Sequence, residues 1–125
     1  MELKHFNKGS RDEFLCKCGE CQEGIEQMNE EFLRMLDNAR EFADTSFVIN
    51  SGYRCPRCNR KVGSISDNHP AGRAVDIKAI DSRTRYQIIR GALKAGFNRI
   101  GLHKAFIHLD NMPDPEASQE VIWVY

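Results

Sequence analysis

The chain lacks several features that would settle its class at once. Across 125 residues no apolar run is longer than residues 121–125, far short of the roughly 20 residues that a membrane-spanning helix needs. Residues 1–14 are charged and polar without an apolar h-region, so no signal peptide is expected and synthesis in the cytoplasm is. Internal repeats, low-complexity tracts and Gly/Ser linkers are absent, which points to a single domain over residues 1–125. Aromatic residues make up 9% of the chain and only one is Trp, so basic residues have no aromatic platforms between them. Net charge is zero, with 18 Lys+Arg against 18 Asp+Glu. Together these argue against a nucleic-acid partner. What remains, 41% hydrophobic and 29% charged residues, is the composition of a globular protein with a modest core.

Neutrality conceals an uneven distribution. Residues 11–44 hold ten acids and four bases, a net of −6, while residues 45–112 hold twelve bases and four acids, a net of +8. The basic stretch favours anionic ligands and the acidic one keeps the molecule solvated.

Hydrophobic periodicity gives the elements. In residues 23–43, Ile25, Met28, Phe32, Met35, Leu36, Ala39 and Phe42 recur at helical spacing and predict an amphipathic helix. A second helix is predicted over residues 83–95, capped by Ser82 or Asp81 and stopped by Gly96, with Tyr86, Ile89, Ala92 and Leu93 on one face. Strand-like runs occupy residues 46–50, 74–79, 99–103, 106–110 and 121–124, and residues 63–72 read as a loop. Helix, strands, helix, strands predicts an α+β fold, a small, mainly antiparallel sheet flanked by helices.

Chemistry concentrates in two of these segments. His69 ends the loop, Asp76 lies seven residues on in a strand, and His108 sits in the run Phe106-Ile-His-Leu-Asp110. Two imidazoles and a carboxylate form a catalytic zinc set, with a fourth position left for water. Spacing alone is a weak signal, since such residues more often cap helices or hydrogen-bond.

A wider pattern strengthens it. Ser51-Gly-Tyr-Arg54, then Asn59-Arg60, then His69-x-x-Gly72-x-Ala74-x-Asp76, then Phe106-Ile-His-Leu-Asp110 resembles the M15-type zinc D-Ala-D-Ala carboxypeptidases. These are peptidoglycan peptidases, many of them from phages, whose fold is shared with the hedgehog signalling domain. The resemblance spans about residues 14–110. It implies that His69, Asp76 and His108 ligate one catalytic Zn2+, and that Arg54 grips an anionic group such as the terminal carboxylate of a stem peptide. It also implies a substrate of peptidoglycan or short D-amino-acid peptides, acted on at the cell wall after phage lysis or delivery by a tail. A monomer with no membrane insertion is expected.

The chain departs from that family at the proton carrier. Members carry an acidic base three residues before the second ligand His, and some place a His two residues before it. Here those positions are Ala105 and Phe106. Asp110, two residues beyond His108 on the same strand face, is a candidate base or a partner that holds the His108 ring. His103 is a second candidate, with an intrinsic pKa near neutrality. The alternative is a catalytically impaired, zinc-stabilised module that binds cell wall or protein.

Five cysteines complete the inventory. Cys16, Cys18 and Cys21 precede the first helix, and Cys55 and Cys58 follow the Ser-Gly-Tyr-Arg run. Cys18/Cys21 and Cys55/Cys58 have the spacing of a structural zinc site, with Cys16 left over or replacing one of the four. Disulfides and unlinked buried thiols are the other readings.

Overall fold

Residues 3–6, 13–17, 21–64 and 68–125 are described by the computed structural model of the chain. Within them, helix α1 (Glu30–Ala43) buries Phe32, Leu33, Leu36, Ala39 and Ala43, one apolar stripe at helical spacing. The Asn29 side-chain oxygen accepts the Phe32 N–H at 2.9 Å and caps its start. The helix begins later than its periodicity suggests. Ile25–Gln27 form a separate 3-10 turn, and the Asn29 N–H donates to the Gly72 carbonyl at 2.8 Å. Ile25 and Met28 still pack on the core, but the cap and the tie to Gly72 separate them from the helix. Phe42, expected on the apolar face, is 45% exposed, and Ala43 is buried instead.

Helix α2 (Pro56–Lys61) was not foreseen. Proline occupies its first turn, and the unusual cap is the Cys55 sulfur, which accepts the Cys58 N–H at 3.4 Å. Helix α3 (Ser82–Lys94) is capped by Asp81, whose carboxylate accepts the Thr84 N–H at 3.0 Å. Its buried face is Ile88, Gly91 and Ala92, whereas Tyr86 and Leu93 are exposed, contrary to the face expected from sequence.

Close packing explains that rotation. A Cβ on Gly91 would stand 2.3 Å from the Ala39 carbonyl oxygen and 2.8 Å from the Ala43 Cβ, so α1 and α3 approach through the smallest residue available. Gly91→Ala should therefore destabilise the protein. The gain of about 1 kcal/mol in helix propensity is outweighed, because backbone atoms cannot rotate away and overpacking costs about 1–3 kcal/mol. A lowered thermal midpoint checks this; an unchanged or raised one contradicts the packing.

Strands β1 (Ile49–Ser51), β2 (Ala74–Lys78), β3 (Arg99–Leu102), β4 (Phe106–Asp110) and β5 (Val121–Val124) form one sheet in the order β1-β2-β4-β3-β5. All neighbours are antiparallel except β3 and β5. The fold is thus α+β, a five-stranded, mostly antiparallel sheet with three helices among the described residues, as the sequence pattern predicts. Strand alternation sorts the two faces. Val75, Ile77, Ile100, Ile107 and Leu109 join the core with α1 and α3. On the other face the register sets Asp76 opposite His108, His108 opposite Gly101, and Gly101 beside Trp123. Four strands thereby carry one continuous row.

The turn leading into β2 is fixed as tightly. Gly72 has φ 70°, and a Cβ there would lie 2.2 Å from the Gln27 carbonyl oxygen. Only glycine fits both demands, and the turn that bears His69 rests directly on the backbone preceding α1.

Candidate metal centre

His69, Asp76 and His108 converge, their ligand atoms all within 4.8 Å of one another. The turn before β2 supplies the first, and facing positions on β2 and β4 supply the other two. Both rings are buried. His69 Nε2 lies 3.5 Å from Asp76 Oδ2, and His108 Nδ1 lies 2.9 Å from Asp76 Oδ1.

The outer nitrogens of both rings decide which inner ones are bare. His69 Nδ1 is 2.8 Å from the Gly52 carbonyl, which can only accept, so Nδ1 carries the proton. His108 Nε2 is 2.7 Å from Asp110 Oδ2 and donates to that carboxylate. When neutral, each ring turns the lone pair of its inner nitrogen towards the Asp76 carboxylate, leaving that nitrogen free for a metal ion; without metal, a protonated His108 donates to Asp76 instead. Orienting a ligand histidine through its far nitrogen is how proteins build metal sites, so these residues fit a metal ion.

Protonation follows the same logic. Burial on its own would raise Asp76, but hydrogen bonds and charge attraction from His108 and His69 outweigh it and hold the carboxyl well below the ordinary range. Burial opposes charge on His108, yet Asp110 and Asp76 raise its pKa above the usual imidazole value. Asp110 is lowered despite burial, by His108 and Arg99. In chelator-treated protein the carboxylate contributions should be complete above about pH 4 and fade as pH falls through their depressed values. The His108 contribution should be complete below about pH 6.5 and fade as pH rises through its raised value. Thermal midpoints of the chelated protein should therefore peak between these limits, and a steady rise to pH 8 would refute the assignment. Metal binding near neutrality should release a proton from His108, measurable by calorimetry in buffers of different ionisation enthalpy.

A surrounding shell holds the ligands. Asp110 is fully buried and accepts from His108, from Arg99 Nε at 2.6 Å, from Asn68 Nδ2 at 3.1 Å and from the Met112 N–H at 3.1 Å. Arg54 is held by the Ser51 hydroxyl at 3.0 Å and the Asn59 side-chain oxygen at 3.1 Å, with Nη2 3.9 Å from Asp76. The His69/Asp76/His108 group opens onto a cleft of about 430 Å³ that Arg54, Arg99, Asn68, Trp123 and Tyr125 also line.

Not every candidate residue arrives here. His103 sits in the β3–β4 connection, stacked on Phe106 at 4.3 Å, with Nδ1 accepting the Ala105 N–H at 3.0 Å. It is not among the residues lining the cleft. Conversely, sequence reading missed Arg99, Asn68, Trp123 and Tyr125. Arg99 was reachable, because pairing Gly101 with His108 brings it to Asp110. Trp123 and Tyr125 left no local signal, since β5 joins the sheet as a parallel neighbour after a crossover.

The ordered parts of this site, from the Ser51–Arg54 loop through His69 and Asp76 to His108, lie inside residues 6–110, which match the peptidase M15 family. The chain belongs to that family. No curated protein matches it. M15 peptidases are hydrolases acting on peptides, and this M15 chain carries a His/Asp/His group able to bind a metal. The match stops at Asp110, so β5 and its Trp123 lie beyond the M15-matched segment.

Proposed function

We propose that the chain is a zinc-dependent peptidase that hydrolyses peptidoglycan stem peptides or their cross-links, as a D-Ala-D-Ala carboxypeptidase or an endopeptidase. The observation that carries this reading is the His69/Asp76/His108 group at the floor of an arginine-lined cleft in an M15 chain. Zinc held there supplies Lewis acidity, acidifying a water molecule and polarising a carbonyl.

The protein's own groups do the rest. Asp76 supplies the negative charge that draws the cation in. Asp110 keeps the His108 ring turned inward and, being buried and committed to four donors, acts by positioning. Arg54, pre-oriented by Ser51 and Asn59, grips the substrate's carboxylate, a task suited to a guanidinium fork. Tyr125, whose phenol burial raises above its ordinary value, keeps its proton at neutral pH and offers an O–H at the cleft. The action is at the cell wall, reached through phage lysis or carriage on a tail.

Incubation with purified peptidoglycan should release new amine termini, a reaction stopped by chelator and restored by zinc. Arg54→Lys should lower kcat/KM about 10- to 100-fold, mostly through KM, as a charge-assisted bidentate contact of roughly 1.5–3 kcal/mol is lost. Full zinc loading with no bond cut in any wall type would sink the enzyme reading. It would favour the second one, a zinc-stabilised module that binds without turnover. Ala105 at the family's acidic position, and a cleft whose described lining holds no carboxylate besides Asp76, speak for that alternative.

A further inference from the structure

None of the described cysteines lines the cleft, yet three of them form the other ligand-like cluster among the described residues. The sulfurs of Cys16, Cys21 and Cys55 lie within 4.8 Å of one another, though Cys55 is 34 residues from Cys21 in sequence. None of these three, nor Cys58, is in a disulfide. Thiolates around one zinc at about 2.3 Å stand roughly 3.8 Å apart, so the cluster has the right size. A single disulfide would join two of the three and strand the last.

Two backbone groups face these sulfurs. The Cys55 N–H donates to Cys16 Sγ at 3.3 Å and the Cys58 N–H to Cys55 Sγ at 3.4 Å, which solvates the negative charge that metal-bound thiolates carry. Cysteines that merely fill apolar space need no such donors. Cys58 is not in this cluster and lines a separate hollow with Lys17, Ser51 and Val62. Cys16 joins Cys21 and Cys55, one of the two roles expected for it from the CxxC spacings, and Cys18 lies outside the described residues.

We propose that Cys16, Cys21 and Cys55 are thiolate ligands of a second, structural zinc ion that clamps the segment before α1 to the loop between β1 and α2. Soft thiolates select zinc over hard cations. The clamped loop carries Gly52, whose carbonyl orients His69, and Arg54 of the cleft. It is also stitched to the same segment by the Tyr53 N–H, which donates to the Phe14 carbonyl at 3.1 Å. This metal would thus set the placement of the active loop without touching substrate.

The test is a metal count on the full chain. Wild type should hold two zinc equivalents. Cys16→Ser/Cys21→Ser should lose one and His69→Ala the other. Because the cysteine variant can misfold, wild-type protein is also titrated with a mercurial thiol reagent, which should release one equivalent and leave the second. Cobalt-substituted wild type should show an intense sulfur-to-metal charge-transfer band. A single equivalent in wild type that vanishes in His69→Ala, no zinc released by the mercurial, or no charge-transfer band would overturn the proposal.

Discussion

His69→Ala should abolish peptidoglycan hydrolysis and remove one zinc equivalent. The imidazole is one of three side chains in the only His/Asp group able to hold a metal among the described residues, and its neighbours cannot replace it. Gly52 offers a carbonyl on the outer side of the ring, and Arg54, which also lines the cleft, is a cation. A metal centre supplies several kcal/mol of transition-state stabilisation. At a factor of ten per about 1.4 kcal/mol, its loss lowers kcat/KM by roughly a thousandfold or more. Circular dichroism should change little, because the His69 turn is anchored by Gly72 and Asn29 rather than by the imidazole. If the variant retained more than a tenth of wild-type turnover at unchanged zinc content, the ligand assignment would be wrong.

Asp110→Ala should be the most destabilising substitution at the site. It strands the Arg99 guanidinium, which is mostly buried, and leaves His108 Nε2, Asn68 Nδ2 and the Met112 N–H without their acceptor. Breaking a buried ion pair by deleting one partner costs about 3–5 kcal/mol, a large part of the stability of a domain this size. Asp110→Asn keeps an acceptor and should cost less, while metal affinity still falls about 10- to 100-fold through a loosened His108 ring. Removing both charges, as Arg99→Met with Asp110→Leu, should recover stability but not metal affinity. Chemical denaturation and zinc titration of the three variants separate the two effects. Equal metal affinity in Asp110→Asn and wild type would show that the ring needs no such support.

Much of this architecture was legible from residue order because it is local. Strand alternation alone set Asp76 and His108 apart from Val75, Ile77, Ile107 and Leu109, so the polar face of β2 and β4 could be read before their pairing was known. The helical repeat likewise found α1, although Asn29 caps it four residues after the apolar spacing begins at Ile25. Misreadings arose where distant segments meet. Gly91 turned α3 away from Tyr86 and Leu93 because Ala39 lies against it, and nothing within α3 announces α1. Asp110 could be narrowed only to base or ring partner, since its burial by Arg99, Asn68 and Met112 is a tertiary fact. The cysteines illustrate the same limit: spacing left Cys16 either spare or a replacement, and only folding brings it beside Cys21 and Cys55.

Strand β5 divides the cleft along the chain. The three metal-site residues and Arg54 lie within the M15-matched stretch, whereas Trp123 and Tyr125, two walls of the cleft, come from a segment beyond it. The group able to bind a metal and the aromatic walls beside it thus lie on different lengths of chain. One restriction remains. Trp123 lies over Gly101 and against Arg99, so a replacement segment must still present a flat side chain there. Within that limit, and with the Arg99 bond to the Ser118 carbonyl kept, a different segment 111–125 should reshape the cleft while leaving the His69/Asp76/His108 group in place.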